Sequence, residues 1–263
     1  MNRLEVGIIP ARRPKGAPKR VVITGAASGI GAAAAAELRA RGATVVGLDL
    51  NPGEGVIRCD VRDQASVDAA MAEAVARLGG LDVLVNNAGI GIPQAAGERP
   101  DADALAVIDV NLLGPWRVTA AAMPALRASR GRVVNVASGL VHLPMPMATA
   151  YCMSKRGLVA YSDGLRVESA GAISVTTVYP GYIRTPIHEA AAAKGLSLEG
   201  QVPAERLEDA ARTLARAALG RPVRDLATTR WASVAYRLLR LIPAGLVDRA
   251  VGLRARSISP DAA

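Results

Sequence analysis

A strand, a glycine-rich turn and a helix follow one another near the start of this chain, and this order constrains the fold most. Residues 20–24 read Arg-Val-Val-Ile-Thr, a composition typical of a strand buried in a parallel sheet. Glycines follow at positions 25, 29 and 31, and an alanine-rich stretch typical of a helix then runs to Arg41. A strand, a glycine turn and a helix N-terminus in this order form a cradle for the pyrophosphate of a dinucleotide.

Each glycine of this turn has a different predicted task. Gly25 allows the tight turn, Gly29 lets the backbone approach a phosphate, and Gly31 lets the helix pack close to the strand. The spacing, G-x3-G-x-G, differs from the common G-x-G-x-x-G. The turn therefore predicts a dinucleotide site rather than a plain connection between a strand and a helix.

Asp49 is the residue that predicts which dinucleotide binds. It ends a second predicted strand, residues 44–48, where a carboxylate can accept hydrogen bonds from a ribose diol and would repel a 2′-phosphate. No Arg or Lys lies at 26–28 or directly after Asp49. We therefore expect NAD rather than NADP, and the alternative is a solvated acid in the turn at 51–53.

Tyr151 and Lys155 stand one helical turn apart, with Ser138 upstream. Side chains at i and i+4 share one face of a helix, so the Lys155 ammonium can lie beside the Tyr151 phenol. A free phenol has a pKa of roughly 10, and a nearby cation lowers the pKa by favouring the phenolate. Ser138 can hold a substrate oxygen beside the phenol. The pattern predicts a proton-transfer site, and the alternative is an ordinary helix with a core tyrosine and a solvated lysine.

These motifs together resemble the short-chain dehydrogenase/reductase family over about residues 20–230. The glycine turn matches the family's cofactor loop, and Cys-Asp-Val at 59–61 matches its adenine-side acid. Asn-Asn-Ala-Gly at 86–89 matches the motif of the fourth strand, and Pro-Gly-Tyr-Ile-Arg-Thr at 180–185 matches the segment that closes over the nicotinamide. The catalytic tetrad of the family is matched, in order and spacing, by Asn111, Ser138, Tyr151 and Lys155.

The resemblance implies a role for each matched residue. Tyr151 would be the general base in alcohol oxidation and the general acid in carbonyl reduction, while Ser138 would polarise the substrate oxygen. Lys155 would lower the Tyr151 pKa and bind the nicotinamide ribose, and Asn111 would hold a water that links Lys155 to solvent. The implied cofactor site consists of Gly25, Ser28, Gly29, Ile30, Gly31, Asp49, Asp60, Val61, Asn87, Gly89, Tyr151, Lys155, Pro180, Gly181, Ile183 and Thr185.

Strands and helices alternate along the chain from Val21 onward. Alternation with buried apolar strands predicts an α/β fold, a single-domain Rossmann-type doubly wound parallel sheet with helices on both faces. The predicted strands are 20–24, 44–48, 56–59, 82–86, 131–137 and 173–178, and the predicted helices are 29–41, 65–78, 102–128, 149–170 and 204–218. We divide the chain into a basic extension at 1–19, a catalytic domain at 20–229 and a basic amphipathic extension at 230–263.

The net charge of +9 lies at the two ends of the chain. Residues 1–20 carry +5 and residues 221–256 carry +6, whereas residues 21–220 carry −1 and Asp261 adds a further −1. Basic patches are compatible with nucleic-acid binding, but no aromatic stacking platform or nucleic-acid motif accompanies them. We therefore expect no nucleic-acid partner.

Two segments near the predicted cofactor site carry further expectations. By the family resemblance, residues 186–203 form a mobile lid over the substrate. Residues 230–256 form two amphipathic stretches broken at Pro243, and the first places Trp231, Val234 and Leu238 on one face. This tail could cap the substrate pocket, pack on a partner subunit or lie on an anionic membrane. We favour the first two over peripheral membrane contact.

The remaining sequence features narrow the class of protein. The two cysteines, Cys59 and Cys152, suit reduced thiols in a cytoplasmic protein rather than a disulfide framework. No apolar run approaches the ~20 residues that span a bilayer, the apolar run at 6–9 is too short for a signal peptide, and no metal-ligand cluster appears. Both histidines, His142 and His188, suit polar loop positions.

The sequence therefore predicts an NAD-dependent alcohol dehydrogenase acting on an apolar secondary alcohol or ketone, such as a steroid-, retinoid- or lipid-like compound. Apolar residues at 140–147 motivate the choice of substrate class. Two alternatives remain: an acyl-thioester ketoreductase, and a binding protein that senses the dinucleotide without turnover. By the resemblance we expect a homodimer or homotetramer formed through the helices that carry Asn111 and Tyr151.

Overall fold

The computed structural model describes residues 16–193, 203–239 and 245–246, and a parallel sheet organises them. Within these ranges seven strands pair in the order β3-β2-β1-β4-β5-β6-β7, and every pair is parallel. This confirms the predicted doubly wound sheet. The strands are β1 (Arg20–Thr24), β2 (Thr44–Asp49), β3 (Val56–Arg58), β4 (Val83–Asn86), β5 (Arg132–Val136), β6 (Ser174–Tyr179) and β7 (Asp225–Ala227).

Helices cover both faces of the sheet. They are α1 (Gly29–Ala40), α2 (Gln64–Leu78), α3 (Ala102–Ile108), α4 (Gly114–Ser129), α5 (Thr149–Glu168), α6 (Glu189–Ala193), α7 (Leu207–Leu219) and α8 (Arg230–Leu239). Successive side chains of a strand point to opposite faces, so in β1 Val21 and Ile23 pack under α1 and α7. Val22 packs on the other face, under α2 and α4. Both faces are therefore buried, as the apolar strands predict.

The glycine turn brings α1 against the sheet. Gly25 adopts a φ of +68°, and a Cβ there would lie 2.8 Å from the Ala88 Cα. A Cβ at Gly31 would overlap the Gly25 carbonyl oxygen. The Gly25 amide donates to the Leu48 carbonyl at 2.8 Å, which ties the turn to β2. The first turn of α1 therefore lies at the point where the strand order reverses between β1 and β4, where ligands of such sheets bind.

A buried polar network fixes α5 on the sheet. The Asn86 side-chain amide of β4 donates to Thr119 Oγ1 at 2.9 Å and to Asn135 Oδ1 at 2.8 Å. The Asn135 amide of β5 in turn donates to Ser162 Oγ on α5 at 2.8 Å. These bonds join two strands to α4 and α5. Because their geometry is directional, they fix the position of α5, the helix that carries Tyr151 and Lys155.

The predicted helix at 102–128 is helical throughout, but it contains a π-helical turn that the sequence analysis did not predict. α3 ends at Ile108, a π-helical turn spans Asp109–Leu113, and α4 begins at Gly114. Pro115 explains this turn, because proline has no N–H to donate to the carbonyl four residues earlier and its ring clashes with that carbonyl. The extra residue of a π turn accommodates this, and the turn contains Asn111.

A short seventh strand also differs from the sequence expectation. β7 has three residues and pairs with β6 from Thr177↔Asp225 to Tyr179↔Ala227. Three residues are too few to show a period of two, so its pairing with β6 is what defines it. The other predicted strands and helices begin and end within a few residues of the observed ones. None of the helices in the described ranges has the length and apolar character needed to cross a membrane.

Gly31→Ala should destabilise the fold by at least about 2 kcal/mol, because its Cβ meets backbone that cannot move aside. Gly164→Ala is the matched control. Gly164 lies within α5 with no heavy atom near its Cβ position, so alanine should be neutral or stabilising by about 0.5–1 kcal/mol. Urea unfolding of the three proteins measures both effects. Equal stability of the Gly31 and Gly164 variants would contradict the tight turn.

Candidate active site

One cavity of about 1150 Å³ opens at the carboxyl ends of β1, β2, β4, β5 and β6. All of the predicted site residues line this cavity except Gly31 and Asn111. Gly31 lies beneath the glycine turn, and Asn111 is fully buried behind the cavity wall. The fold therefore brings together residues from 25 to 185 that are distant in sequence.

Tyr151 and Ser138 meet at the centre of the cavity. Tyr151 lies in the first turn of α5, and Ser138 follows β5. Burial raises the pKa of Tyr151, and a hydrogen bond with the Ser138 hydroxyl opposes that rise. Ser138 Oγ also accepts a hydrogen bond from the Leu140 amide at 3.2 Å, which orients the hydroxyl. The two side chains can therefore contact one substrate oxygen.

Lys155 lies beneath the Tyr151 ring, with its Nζ 5.8 Å from the ring centroid. The Nζ donates a hydrogen bond to the Val136 carbonyl at 2.9 Å. Burial lowers the pKa of Lys155 to about 8. We expected the Lys155 charge to lower the Tyr151 pKa, but the net shift of Tyr151 is upward because desolvation of the phenolate outweighs the other effects.

The π-helical turn holds Asn111 against the loop that follows β4. Its Oδ1 accepts from the Ile90 amide at 2.9 Å, and its Nδ2 donates to the Ile90 carbonyl at 2.9 Å and to Ser154 Oγ at 3.2 Å. A Cβ at Gly89 would lie 3.2 Å from Asn111 Oδ1 and 3.5 Å from Lys155 Nζ. Gly89 therefore allows the Asn111 amide and the Lys155 ammonium to lie close together.

Two carboxylates line the other end of the cavity. Asp49 accepts hydrogen bonds from the backbone amides of Ala27 and Asn51, both at 3.0 Å. Asp60 forms an ion pair with Arg62 at 2.7 Å, and the hydrogen bond from Arg62 lowers the Asp60 pKa. The carboxylate of Asp49 is thus held over the glycine turn, and that of Asp60 is held by its own loop.

The floor of the cavity is cross-linked by Asn87. Its backbone amide donates to Thr24 Oγ1 at 3.0 Å, and its side chain donates to the Thr24 carbonyl at 3.0 Å. A further bond reaches the Gly25 carbonyl at 3.3 Å. Asn87 thus fixes the loop after β4 against the loop after β1.

Comparison with known proteins identifies this architecture. Residues 19–195, more than half of the chain, match the family described as short chain dehydrogenase. The chain belongs to this family. Its members are oxidoreductases that use a nicotinamide dinucleotide, so the resemblance seen in the sequence is confirmed.

Three similar proteins illustrate the range of the short chain dehydrogenase family. Oxidoreductase UcpA of Escherichia coli (strain K12) is 37% identical over 191 residues, which cover 66% of this chain and 73% of UcpA. Human retinol dehydrogenase 16 is 38% identical over 185 residues, 64% of this chain and 58% of that protein. The ligand-free structure of Thermoplasma acidophilum aldohexose dehydrogenase superposes with a TM-score of 0.74 at 26% identity, covering 82% of this chain and 95% of that one.

Beyond the residues matched to the family, Glu205 ties three parts of the cavity wall together. It accepts hydrogen bonds from the Gly181 amide at 2.9 Å and from Thr228 Oγ1, and its own amide donates to the Tyr182 carbonyl at 2.7 Å. Tyr182 also forms a bridge with Ala204. The chain therefore leaves the cavity wall at 182 and returns to the same point at 204. Of the predicted lid, residues 194–202 lie outside the described residues.

The helix α8 borders the cavity through Trp231, Ala232, Ala235 and Tyr236. Ala232 is buried, whereas the side chains of Trp231, Val234 and Leu238 are exposed. The exposed side chains of this face leave packing on a partner subunit open, and the position of α8 at the cavity is compatible with the expected cap. Pro243 and the second amphipathic stretch, apart from residues 245–246, lie outside the described residues.

Sequence reasoning missed Glu205 and Tyr236 as functional candidates. Neither belongs to a motif with fixed spacing, and each reaches the cavity only through the return of the chain after β6. Tyr236 could have been noticed as an aromatic residue on a predicted amphipathic helix. For Glu205 the sequence carries no signal.

Metal chemistry was not expected, and no group of three or more His, Cys, Asp or Glu in the described part of the chain could hold a metal ion. Cys59 and Cys152 are both free thiols. Cys152 borders Tyr151 on α5, and burial raises the pKa of each thiol.

Lys155→Met should stabilise the protein at pH 7 by about 2 kcal/mol. Burial lowers the Lys155 pKa from 10.5 to about 8, which corresponds to about 3 kcal/mol against the charged form, and the lost hydrogen bond offsets about 1 kcal/mol. Between pH 8 and 10.5 the folded chain loses this proton before the unfolded chain does. The destabilisation of the wild type by the buried charge therefore falls as the pH rises. The stability difference between Lys155→Met and wild type should vanish near pH 10.

Urea unfolding of wild type and variant at pH 7 and pH 10 measures this effect. Lys19→Met, at an exposed position, is the matched control and should show no pH-dependent gain. A Lys155→Met variant that is no more stable than the wild type at pH 7 would contradict the burial of a charged ammonium.

Proposed function

We propose that this protein is an NAD-dependent alcohol dehydrogenase that interconverts an apolar secondary alcohol and its ketone, with Tyr151 as the general acid and base. One observation carries the proposal. The hydrogen-bonded pair of Tyr151 and Ser138 faces the same cavity as the glycine turn, so a proton donor and a dinucleotide cradle share one space. A cavity of about 1150 Å³ exceeds the usual range for one small ligand and suits a dinucleotide together with a substrate.

The residues of the glycine turn fit a dinucleotide. Ser28 is the residue before α1, and its side chain makes no capping bond to the helix, so its hydroxyl and the first amides of α1 can bind pyrophosphate. A Cβ at Gly29 would lie 3.4 Å from Thr185, so the turn and the segment at 180–185 enclose the same volume. When bound, a nicotinamide cofactor supplies the hydride acceptor for oxidation or the donor for reduction.

The protein's own part of the chemistry is proton transfer. In ketone reduction the Tyr151 hydroxyl donates its proton to the substrate oxygen, and the raised pKa keeps the phenol protonated at neutral pH. In alcohol oxidation the phenolate accepts the hydroxyl proton, and the Lys155 charge beneath the ring stabilises that phenolate. Ser138 donates a hydrogen bond to the same oxygen and orients it.

Lys155 and Asn111 assist the proton transfer without contacting the substrate oxygen. We assign the Lys155 ammonium a second role in binding the nicotinamide ribose, since its Nζ lies beside Gly89 on the cavity wall. Asn111, on the same side, has both amide atoms engaged with Ile90. It therefore shapes the wall near Lys155, and by the family resemblance we assign it the water that links Lys155 to solvent.

Asp49 supports the choice of NAD. Its carboxylate is held by the amides of Ala27 and Asn51 at the edge of the cavity, where the adenosine ribose of a dinucleotide in this turn would lie. Arg58 lies opposite Asp49 in the pairing of β2 and β3, and it is a neighbouring cation that would favour the 2′-phosphate of NADP, so a comparison of both cofactors is the deciding test. Asp60 and Val61 border the adenine end.

Apolar side chains support the choice of substrate. Leu140, Leu143, Met145 and Met147 are among the residues that line the cavity. By their names, one relative acts on retinol and one structural neighbour on aldohexoses. The apolar wall favours the retinol-like end of this range.

Exposed apolar residues support a homo-oligomer. Trp116 on α4 and Met153 and Val167 on α5 are exposed, and these are the helices through which we expect a homodimer or homotetramer to form. The free cysteines suit the cytoplasm, where thiols stay reduced.

A panel of secondary alcohols and ketones tests the activity, with NADH absorbance as the measurement. Turnover with NAD supports the proposal. Reduction of a β-ketoacyl thioester with NADPH alone would instead indicate the ketoreductase. Tight NAD binding without turnover of any compound would indicate a dinucleotide sensor.

Tyr151→Phe should lower kcat by about 10²–10⁴-fold and leave the Kd for NAD nearly unchanged, because the phenol transfers the proton and the glycine turn holds the cofactor. Tyr161→Phe is the matched control. Tyr161 lies on the same helix, outside the cavity, beside Thr119, and should retain activity. Near wild-type turnover in Tyr151→Phe would remove this residue from the mechanism.

Asp49→Ala should weaken the binding of NAD. It should also reduce the ratio of kcat/KM with NAD to kcat/KM with NADP. Two charges 4 Å apart near a protein surface interact by about 4 kcal/mol, and a tenfold preference needs only about 1.4 kcal/mol. The comparison is kcat/KM for both cofactors in wild type and variant. Asp68→Asn, a charge change on the exposed surface of α2, serves as control. Equal use of both cofactors by the wild type would show that Asp49 does not select NAD.

A further inference from the structure

We infer that Tyr236 of α8 is a substrate-binding residue whose hydroxyl donates a hydrogen bond to a second oxygen of the substrate, remote from the reacting carbon. This inference rests on the proposed function, because it adds a contact in the same cavity. It also narrows the substrate class. The favoured compound is an apolar molecule with two oxygens, such as a diol or a hydroxyketone, rather than a simple alcohol.

The location of the hydroxyl comes from Gly139. A Cβ at Gly139 would overlap the Tyr236 hydroxyl and would lie 2.8 Å from Cζ of the ring. The hydroxyl therefore lies within about 4 Å of the Gly139 Cα, and the Cα atoms of Ser138 and Gly139 are about 3.8 Å apart. Tyr236 Oη is thus less than about 10 Å from Ser138 Oγ, within the length of one small molecule.

Aromatic packing fixes the ring of Tyr236. Its centroid lies 4.7 Å from that of His142, at an interplanar angle of 32°, and 6.5 Å from that of Tyr179, edge to face. His142 and Tyr179 are themselves in contact at 5.3 Å. A ring held on two sides presents its hydroxyl in a defined direction, which is what recognition of a specific oxygen requires.

Among the groups that the structure describes, none forms a hydrogen bond with Tyr236 Oη. The contrast with other tyrosines is clear, since Tyr151 bonds Ser138 and Tyr179 donates to Asp225 at 2.8 Å. Tyr236 is half-buried and lines the cavity, so a hydroxyl with no partner among the described groups can bond a ligand oxygen there.

The charge environment keeps this phenol a donor. Burial raises the pKa of Tyr236 to about 12, and the nearby Glu205 carboxylate adds to the rise. The two hydrogen bonds that Glu205 accepts, from the Gly181 amide and from Thr228 Oγ1, both reach its Oε2, and neither comes from Tyr236. The same bonds anchor the start of α8, where Thr229 Oγ1 accepts from the Ala232 amide at 3.0 Å. Tyr236 is therefore held in place and neutral over the usual assay range.

Matched substrates test the inference. The probes are cyclohexanol and cyclohexane-1,3- and 1,4-diol, assayed with NAD in wild type and Tyr236→Phe, which keeps the ring but removes the hydroxyl. We expect kcat/KM for at least one diol to fall about tenfold in the variant, mainly through KM. The values for cyclohexanol and the KM for NAD should stay unchanged. Equal losses for all three probes, or no loss for either diol, would overturn the inference.

A binding experiment separates this inference from the proposed function. If the wild type oxidises none of the probes, the proposed function fails for this substrate class, and the inference is judged by thermal shifts of the NADH-loaded protein. A diol should then raise the Tm more than cyclohexanol in the wild type and not in Tyr236→Phe. Identical shifts in the two proteins would overturn the inference.

A double-mutant cycle tests the placement without any substrate. Gly139→Ala should lower the Tm in the wild-type background, because its Cβ displaces the Tyr236 hydroxyl. In the Tyr236→Ala background the same change should have little effect, because the space is then empty. An equal loss of Tm in both backgrounds would show that Tyr236 does not lie against Gly139.

Discussion

The close approach of α1 to β1 is the constraint on which the rest of the site depends. At Gly31 the helix lies so near the Gly25 carbonyl that no side chain fits between them. This approach places the first turn of α1 at the reversal of the strand order, and the amides of Ala27 and the Asp49 carboxylate then meet across it. The cavity can therefore form only if the backbone of the turn closes to this distance. Residues of α5 and of the segment at 180–185 line the same cavity as the turn.

A second constraint is the cost of burying Lys155. Its ammonium has one carbonyl partner, from Val136, and lies in an environment that disfavours its charge. The same environment disfavours the phenolate of Tyr151. Burial thus works against both ionised groups, and the Lys155 Nζ lies 5.8 Å from the centroid of the Tyr151 ring. Opposite charges at such a distance favour each other, which supports the role proposed for this pair in proton transfer.

Arrangements that depend on residues a few positions apart could be predicted from the sequence. Contacts between segments far apart in the chain could not. The glycine turn and the Tyr151–Lys155 pair are set by residues a few positions apart, so their arrangement follows from the geometry of one turn or one helix. The π-helical turn that holds Asn111 depends on Pro115, a signal present in the sequence that the long apolar pattern of 102–128 obscured. The contacts of Glu205 and Tyr236 depend on where α7, β7 and α8 return to the sheet. No local pattern encodes such a return, since it is set by the packing of the whole layer.

The bridge between Tyr182 and Ala204, held by Glu205, divides this enzyme into parts that can change at different rates. The chain between these two residues begins and ends at one pinned point. A loop with fixed ends can lengthen cheaply, since each doubling of its length costs only about 0.6 kcal/mol in closure entropy. Insertions and deletions beyond Thr185 would therefore leave the Gly181 side of the cavity wall and the start of α8 in register. In evolution the segment between the two anchors could change in length while the fold on either side of it stayed constant.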